Sequence, residues 1–261
     1  MLATPADKWN FFQGLVDAVD PEDRVADCHK GRFWMLVKSD KGGVGLSLFL
    51  PDPTTDYSPP KEEIVGRRLA ELAPLFLSWD SPTASVGLAA INASLSLDCL
   101  EGKFEDDVVE GNAFDIFAPR VKGKRIGVIG HFPHLQRLAG SAREMVIFER
   151  IPQPGDLPDT AAEYLLPEMD AVFMTGSTLV NKTVPRLLEL SRNAEVYLVG
   201  PSVPLCPDLF KYGITALCGT VVLDYAGLAL LLNKPNALHL GPWLTRRLNL
   251  FSSKPPAGLR A

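Results

Sequence analysis

The chain has 261 residues, a net charge of −5, 46% hydrophobic and 22% charged residues. That length can bury a substantial core, in one large domain or two modest ones. The acidic balance argues against a nucleic-acid partner, which calls for a basic face. No charged segment followed by an apolar one opens the chain. Its longest apolar run, residues 226–232 (AGLALLL), falls far short of the roughly 20 residues that span a bilayer. A soluble, cytoplasmic protein with no membrane partner is expected.

The first hundred residues read as an α+β unit. Trp9, Phe12, Val16 and Val19 recur at helical spacing and predict an amphipathic helix ending near Pro21. Residues 24–29, 32–38 and 44–50 then read as an antiparallel meander, turned at Gly31 and at residues 40–43. A Pro-rich loop at 54–60 precedes helices at about 61–72 and 82–95, the second rich in small residues (SVGLAAINASL). The acidic, glycine-flanked stretch 100–111 (LEGKFEDDVVEG) and a short helix at 113–119 connect this unit to the next. The domain reading is therefore 1–100, a linker and short helix at 101–120, a second domain at 121–233 and a tail at 234–261.

In the second domain five short apolar runs alternate with helical segments: 125–130 (RIGVIG), 145–149 (MVIFE), 171–176 (AVFMTG), 195–200 (EVYLVG) and 214–219 (ITALCG). That alternation predicts an α/β fold, a Rossmann-like parallel sheet with helices on both faces. Ligands of such sheets bind in the crevice beyond the carboxyl ends of the strands. Here those ends carry Gly130, His131, Glu149, Thr175, Gly176, Ser177, Pro201, Ser202 and Thr220. The tail holds five Lys or Arg and no acid, and its end reads as a disordered, solvated arm.

Several local patterns carry chemistry. Glu149 lies 19 residues after Gly130, where a dinucleotide fold places the acid that binds ribose. His131, Phe132 and Pro133 fill the turn where that fold needs glycines, so a plain dinucleotide dehydrogenase is disfavoured. Residues 176–183 (GSTLVNKT) resemble a phosphate-cradling loop with Asn181 in place of its second glycine. No acid ends the neighbouring strand to hold magnesium, and what survives is a loop whose Ser177, Thr178 and Thr183 favour an anionic group. His131 and His134 form HxxH, a spacing that suits a transition metal, though Pro133 disturbs it. Asp156 and Asp159 read as caps of a helix opened by Pro158, with oxygen ligation to a cation as the competing role for Asp156. Cys28, Cys99, Cys206 and Cys218 are scattered and form no CxxC pair, so a local zinc site is not expected. Cys206 and Cys218 read as core filler.

The segments VIGHFPHL, ERIPQPGDLPD, LLPEMDAVFMTGSTLVNKT and VGPSVPLCPDLF, in that order, resemble the family labelled heavy-metal chelation domain proteins. The strand GVGLSL and the helix GLAAINA resemble its N-terminal motifs. The resemblance implies an enolase N-terminal-like domain, a Rossmann-like domain and a site in the cleft between them. Matched motif by motif, that cleft takes Asn92, Gly130, His131, Glu149, Asp156, Thr175, Gly176, Ser177, Thr178, Asn181, Pro201 and Ser202. His131, Glu149 and Asp156 would be the metal or polar anchors, for a divalent transition metal. The reading is a protein that binds a small polar or anionic ligand, a heavy metal or a metal chelate. The rival readings are an enzyme using a nucleoside-containing cofactor, with Glu149 on the ribose, and a non-catalytic scaffold. A second copy of the chain, in a homo-oligomer, is the one macromolecular partner that the reading admits.

Overall fold

The computed structural model describes residues 5–49, 61–234, 240, 241 and 243–253. Helix α1 (Pro5–Asp17) leads into a meander of β1 (Val25–Lys30), β2 (Trp34–Ser39) and β3 (Val44–Leu48), antiparallel in that order. The Pro-rich loop at 54–60 lies outside the described residues. The helix expected at 61–72 is two short ones, α2 (Lys61–Ile64) and α3 (Leu69–Leu72). Gly66, in the left-handed region at φ +86°, makes the break. The backbone there pairs with the start of β1 instead: Gly66 N donates to Val25 O (2.8 Å) and Val25 N to Arg67 O (2.9 Å).

Helix α4 (Ser81–Leu100) is the backbone of this unit, capped by Asp80, whose carboxylate accepts from Thr83 N at 2.8 Å. By length and composition α4 could cross a membrane, but most of it is buried inside the protein. Three of its polar residues, Ser85, Asn92 and Ser96, fall on the face against β3. Ser85 donates to Leu48 O (2.8 Å), Asn92 to Leu46 O (2.7 Å), and Ser96 accepts from Val44 N (3.0 Å). The approach is close enough that a Cβ on Gly45 would sit 2.0 Å from Ala89 O, so only glycine fits there.

The second unit is an eight-stranded sheet. In chain order it comprises β4 (Val108–Glu110), α5 (Ala113–Phe117), β5 (Arg125–Ile129), α6 (Gln136–Ala139), β6 (Glu144–Glu149) and β7 (Leu157–Pro158). It continues with α7 (Ala162–Leu165), β8 (Ala171–Thr175), α8 (Ser177–Val180), α9 (Val184–Leu190), β9 (Glu195–Val199), β10 (Ile214–Val222), α10 (Tyr225–Leu232) and β11 (Thr245–Phe251). The strands lie in the order β4-β11-β10-β9-β8-β5-β6-β7, and β10 through β7 are parallel. The chain moves outward from β5 to β6 and then returns to β8 on the other side. The topological switch point is therefore the crevice between β5 and β8.

Alternation along the strands divides the core. Ile126, Val128, Ala171, Phe173 and Tyr197 face α5 and α6. Val172, Met174, Val196 and Leu198 face α8 and α9, in a cluster that continues through α4 and α1. The two units thus share one continuous hydrophobic core. Two expectations change at the sheet edge. Part of the stretch 100–111, expected as a connection, pairs as β4, and residues 245–251, expected within a solvated arm, form β11 between β10 and β4. The sequence TRRLNLF explains this. Leu248, Leu250 and Phe251 are buried, and the pairing leaves Arg246 and Arg247 exposed. The remainder of the arm, 254–261, lies outside the described residues.

Candidate functional site

A cavity of about 260 Å³ opens at the carboxyl ends of β5, β8, β9 and β10, closed from the other side by Trp34 and Leu48 of the meander. His131, Thr175, Gly176, Ser177, Pro201 and Ser202 line it, as the strand ends predict. His134 lines it as well, held in the left-handed region at φ 68°. A non-glycine residue there is strained and persists only where its surroundings enforce it. Among the described residues no Asp or Glu lines this cavity.

His131 is the best-defined group in it. Its Nδ1 lies 3.1 Å from Oδ2 of Asp156, whose side chain is only 3% exposed. A carboxylate partner makes Nδ1 the donor of this bond, and in a neutral ring so held the lone pair is on Nε2. Asp156 is itself fixed by Gln153 N, which donates to the same oxygen at 3.0 Å. Glu149 supports the same turn from the end of β6. One oxygen accepts from His131 N (2.9 Å) and the other from Arg150 N (2.7 Å). His131, Glu149 and Asp156 therefore come together, with the two carboxylates occupied in holding the histidine and its backbone. Neither Asp156 nor Asp159 caps a helix. Asp156 holds His131 instead, and Asp159 opens a short 3-10 turn without a side-chain cap.

Asn92 sits behind the cavity wall. Its amide donates to Leu46 O (2.7 Å) and Ser202 O (3.1 Å), while Ser202 Oγ accepts from Leu48 N (2.8 Å). These bonds tie the meander, α4 and the loop after β9 into one unit. Asn92 and Ser202, both expected in the site, are thus in contact, and their bonds set the spacing between the meander and the loop after β9.

Gly130, Glu149, Thr178 and Asn181 face a second cavity of about 500 Å³, on the other side of the segment 175–177. Both carboxylate oxygens of Glu149 are used locally, and Asn181 Oδ1 accepts from the Thr183 hydroxyl (2.7 Å) and backbone N–H (3.2 Å). The left-handed residue of this loop is Lys182 (φ 63°), not Asn181 (φ −85°). Lys182 Nζ donates to Val180 O (3.1 Å) and lies 4.4 Å from the centre of the Phe76 ring. It therefore points across to the first unit instead of into a phosphate cradle. Burial lowers its pKa to about 7.

Among the described residues no three of His, Cys, Asp and Glu converge as metal ligands. Burial raises the thiols of Cys206 and Cys218, which fits core filler. What sequence reasoning missed is the wall supplied by β11. Thr245, Arg247 and Asn249 alternate along that strand onto the cavity. The alternation in TRRLNLF was the available signal; the basic composition of the segment concealed it.

Comparison with known proteins identifies the family and the fold. Two family models, both described as "Putative heavy-metal chelation", match residues 13–95 and 112–235. An uncharacterised protein of Methanocaldococcus jannaschii is 31% identical over 199 residues, 73% of this chain and 75% of its own length. A crystal structure of a DUF364-family protein of unknown function from Desulfitobacterium hafniense is 32% identical. It covers 95% of this chain and 99% of its own, with a TM-score of 0.82. A second, from Pyrococcus horikoshii, is 21% identical with a TM-score of 0.73 over 94% and 99% of the two chains, and shares the fold.

Proposed function

The chain belongs to the family described as "Putative heavy-metal chelation", and from that premise we propose that it binds a small ligand carrying a transition metal in the cleft between its two units. One observation carries this reading: Nδ1 of His131 lies 3.1 Å from a buried carboxylate, at the wall of a cavity built from both units. Metal-binding histidines characteristically donate their second ring N–H to a carboxylate, which aligns the ring and makes it a better donor. His131 is then the ligating group, Asp156 its orienting partner and Glu149 the support of the turn. Ser177 and the backbone of 175–177 offer polar contacts to the rest of the ligand. First-row ions that favour imidazole, namely nickel, copper and zinc, are the ones to test.

The test is calorimetric titration with nickel(II), copper(II) and zinc(II), each as the aqua ion and as a chelate. His131→Ala should weaken binding at least tenfold and leave the melting temperature within a degree or two, because the ring is partly exposed. Metal bound in neither form, or bound equally well by the variant, would overturn the proposal.

A further inference from the structure

The cavity that holds His131 is poorly suited to a bare cation. Among the described residues it is lined by no carboxylate, and the one permanently charged residue lining it is Arg247. Arg247 makes no ion pair among the described residues, whereas its neighbour Arg246, on the opposite face of β11, pairs with Glu110 at 3.4 Å. The rest of the wall is largely apolar: Trp34, Leu48, Phe114, Phe132 and Leu240. A divalent ion entering alone would exchange its water for one or two imidazoles beside a fixed positive charge, with no anionic donor to neutralise it. An anionic, partly organic ligand meets the same wall favourably, its charge on Arg247 and its carbon skeleton on the rings.

From this, and resting on the function proposed above, we infer that the cleft takes up a metal already complexed by an organic polycarboxylate with net negative charge. The acid group would lie on Arg247, and His131 Nε2 would fill one open coordination position. The step is ligand exchange: a water leaves the metal as the Nε2 lone pair takes its place, with no redox change and no proton released. Arg247 selects the complex by charge, and the histidine reads the metal. This also accounts for a family described by chelation in a chain whose described residues hold no preformed cluster of metal donors.

The experiment is calorimetry with nickel(II) nitrilotriacetate, which carries one net negative charge and exchangeable water positions, against aqueous nickel(II). The chelate should bind at least tenfold more tightly than the aqua ion. Arg247→Gln should cost at least tenfold in chelate affinity, and the control Arg246→Gln should cost less than twofold. Circular dichroism and melting of both variants check that β11 stays paired. Aqua nickel bound as tightly as the chelate, or chelate binding indifferent to Arg247→Gln, would refute this inference while leaving His131 as a metal ligand. Binding of neither form would remove the cleft function itself.

Discussion

The two cavities that share Thr175 and Ser177 as a common wall differ in how their polar groups are occupied. The larger, of about 500 Å³, is lined by Glu149, Asp159, Glu163, Arg150, Lys182 and Arg186 and is much the richer in charge. Nearly all of that charge is used internally: Arg186 pairs with Glu163 at 2.6 Å, Glu149 accepts two backbone N–H groups, and Lys182 rests on carbonyls and aromatic rings. The smaller cavity holds few charges, but they are uncommitted. Arg247 has no anionic partner among the described residues, and His131 keeps one nitrogen while a buried carboxylate fixes the other. A count of charged residues favours the first cavity, whereas a count of unsatisfied bonding capacity favours the second.

The strongest way to break that contrast is to disturb the histidine without touching the cavity. Asp156→Asn removes the charge behind His131 while keeping an oxygen for Gln153 N. It should weaken nickel-chelate binding tenfold to a hundredfold, on the order found for partners of metal-binding histidines. Nitrogen-15 spectra of the ring should show mixed tautomers in the variant and one in the wild type. Unchanged affinity together with an unchanged tautomer would return Asp156 to a purely structural role.

Lys182 tests the other side of the comparison, where charge is held at a cost. Burial depresses its pKa from the usual 10.5 to about 7, so the folded state binds fewer protons than the unfolded chain between those values. Stability attributable to this group therefore rises with pH from about 7 to about 10.5, and the full penalty is present below 7. The carbonyls of Leu179 and Val180 and the Phe76 ring favour the ammonium and offset part of the burial. Lys182→Met should thus stabilise the protein by about 1–2 kcal/mol at pH 6, a gain that shrinks towards pH 10. Urea titrations of both proteins across that range check it; a gain independent of pH would show that packing, not charge, is responsible.

Period and glycine placement made the parallel strands readable. The runs RIGVIG, AVFMTG and EVYLVG are apolar on both faces because helices cover both. The strand ends, and with them the positions of His131, Thr175 and Ser202, followed from those runs, whereas the switch point needed the order of the strands in the sheet. The strand at 245–251 stayed hidden because tertiary pairing with β10 and β4 overrode a basic, Pro-flanked composition. The split between α2 and α3 was likewise set by long-range bonds to β1, which no local window contains. The partnership of His131 with Asp156, 25 residues apart, depends on how the loop after β6 folds back, and neither residue's neighbours announce it.

Asn181 offers the smallest and most discriminating of these tests. It follows α8 in the position where a phosphate-binding loop would carry glycine, yet its own φ of −85° needs no glycine, and its side chain closes a turn onto Thr183. Asn181→Gly loses those two bonds and loosens the unfolded chain, which together should cost about 0.5–1 kcal/mol of stability. Because Asn181 faces the cavity whose charged groups are largely paired internally, nickel-chelate affinity in the cleft should stay within twofold. Neither wild type nor variant should hydrolyse ATP with magnesium, since Lys182 is turned towards Phe76 and no acid ends β9 to hold the metal. A tenfold loss of chelate binding in this variant would move the site across the shared wall, and the larger cavity, for all its internal pairing, would then be the one that works.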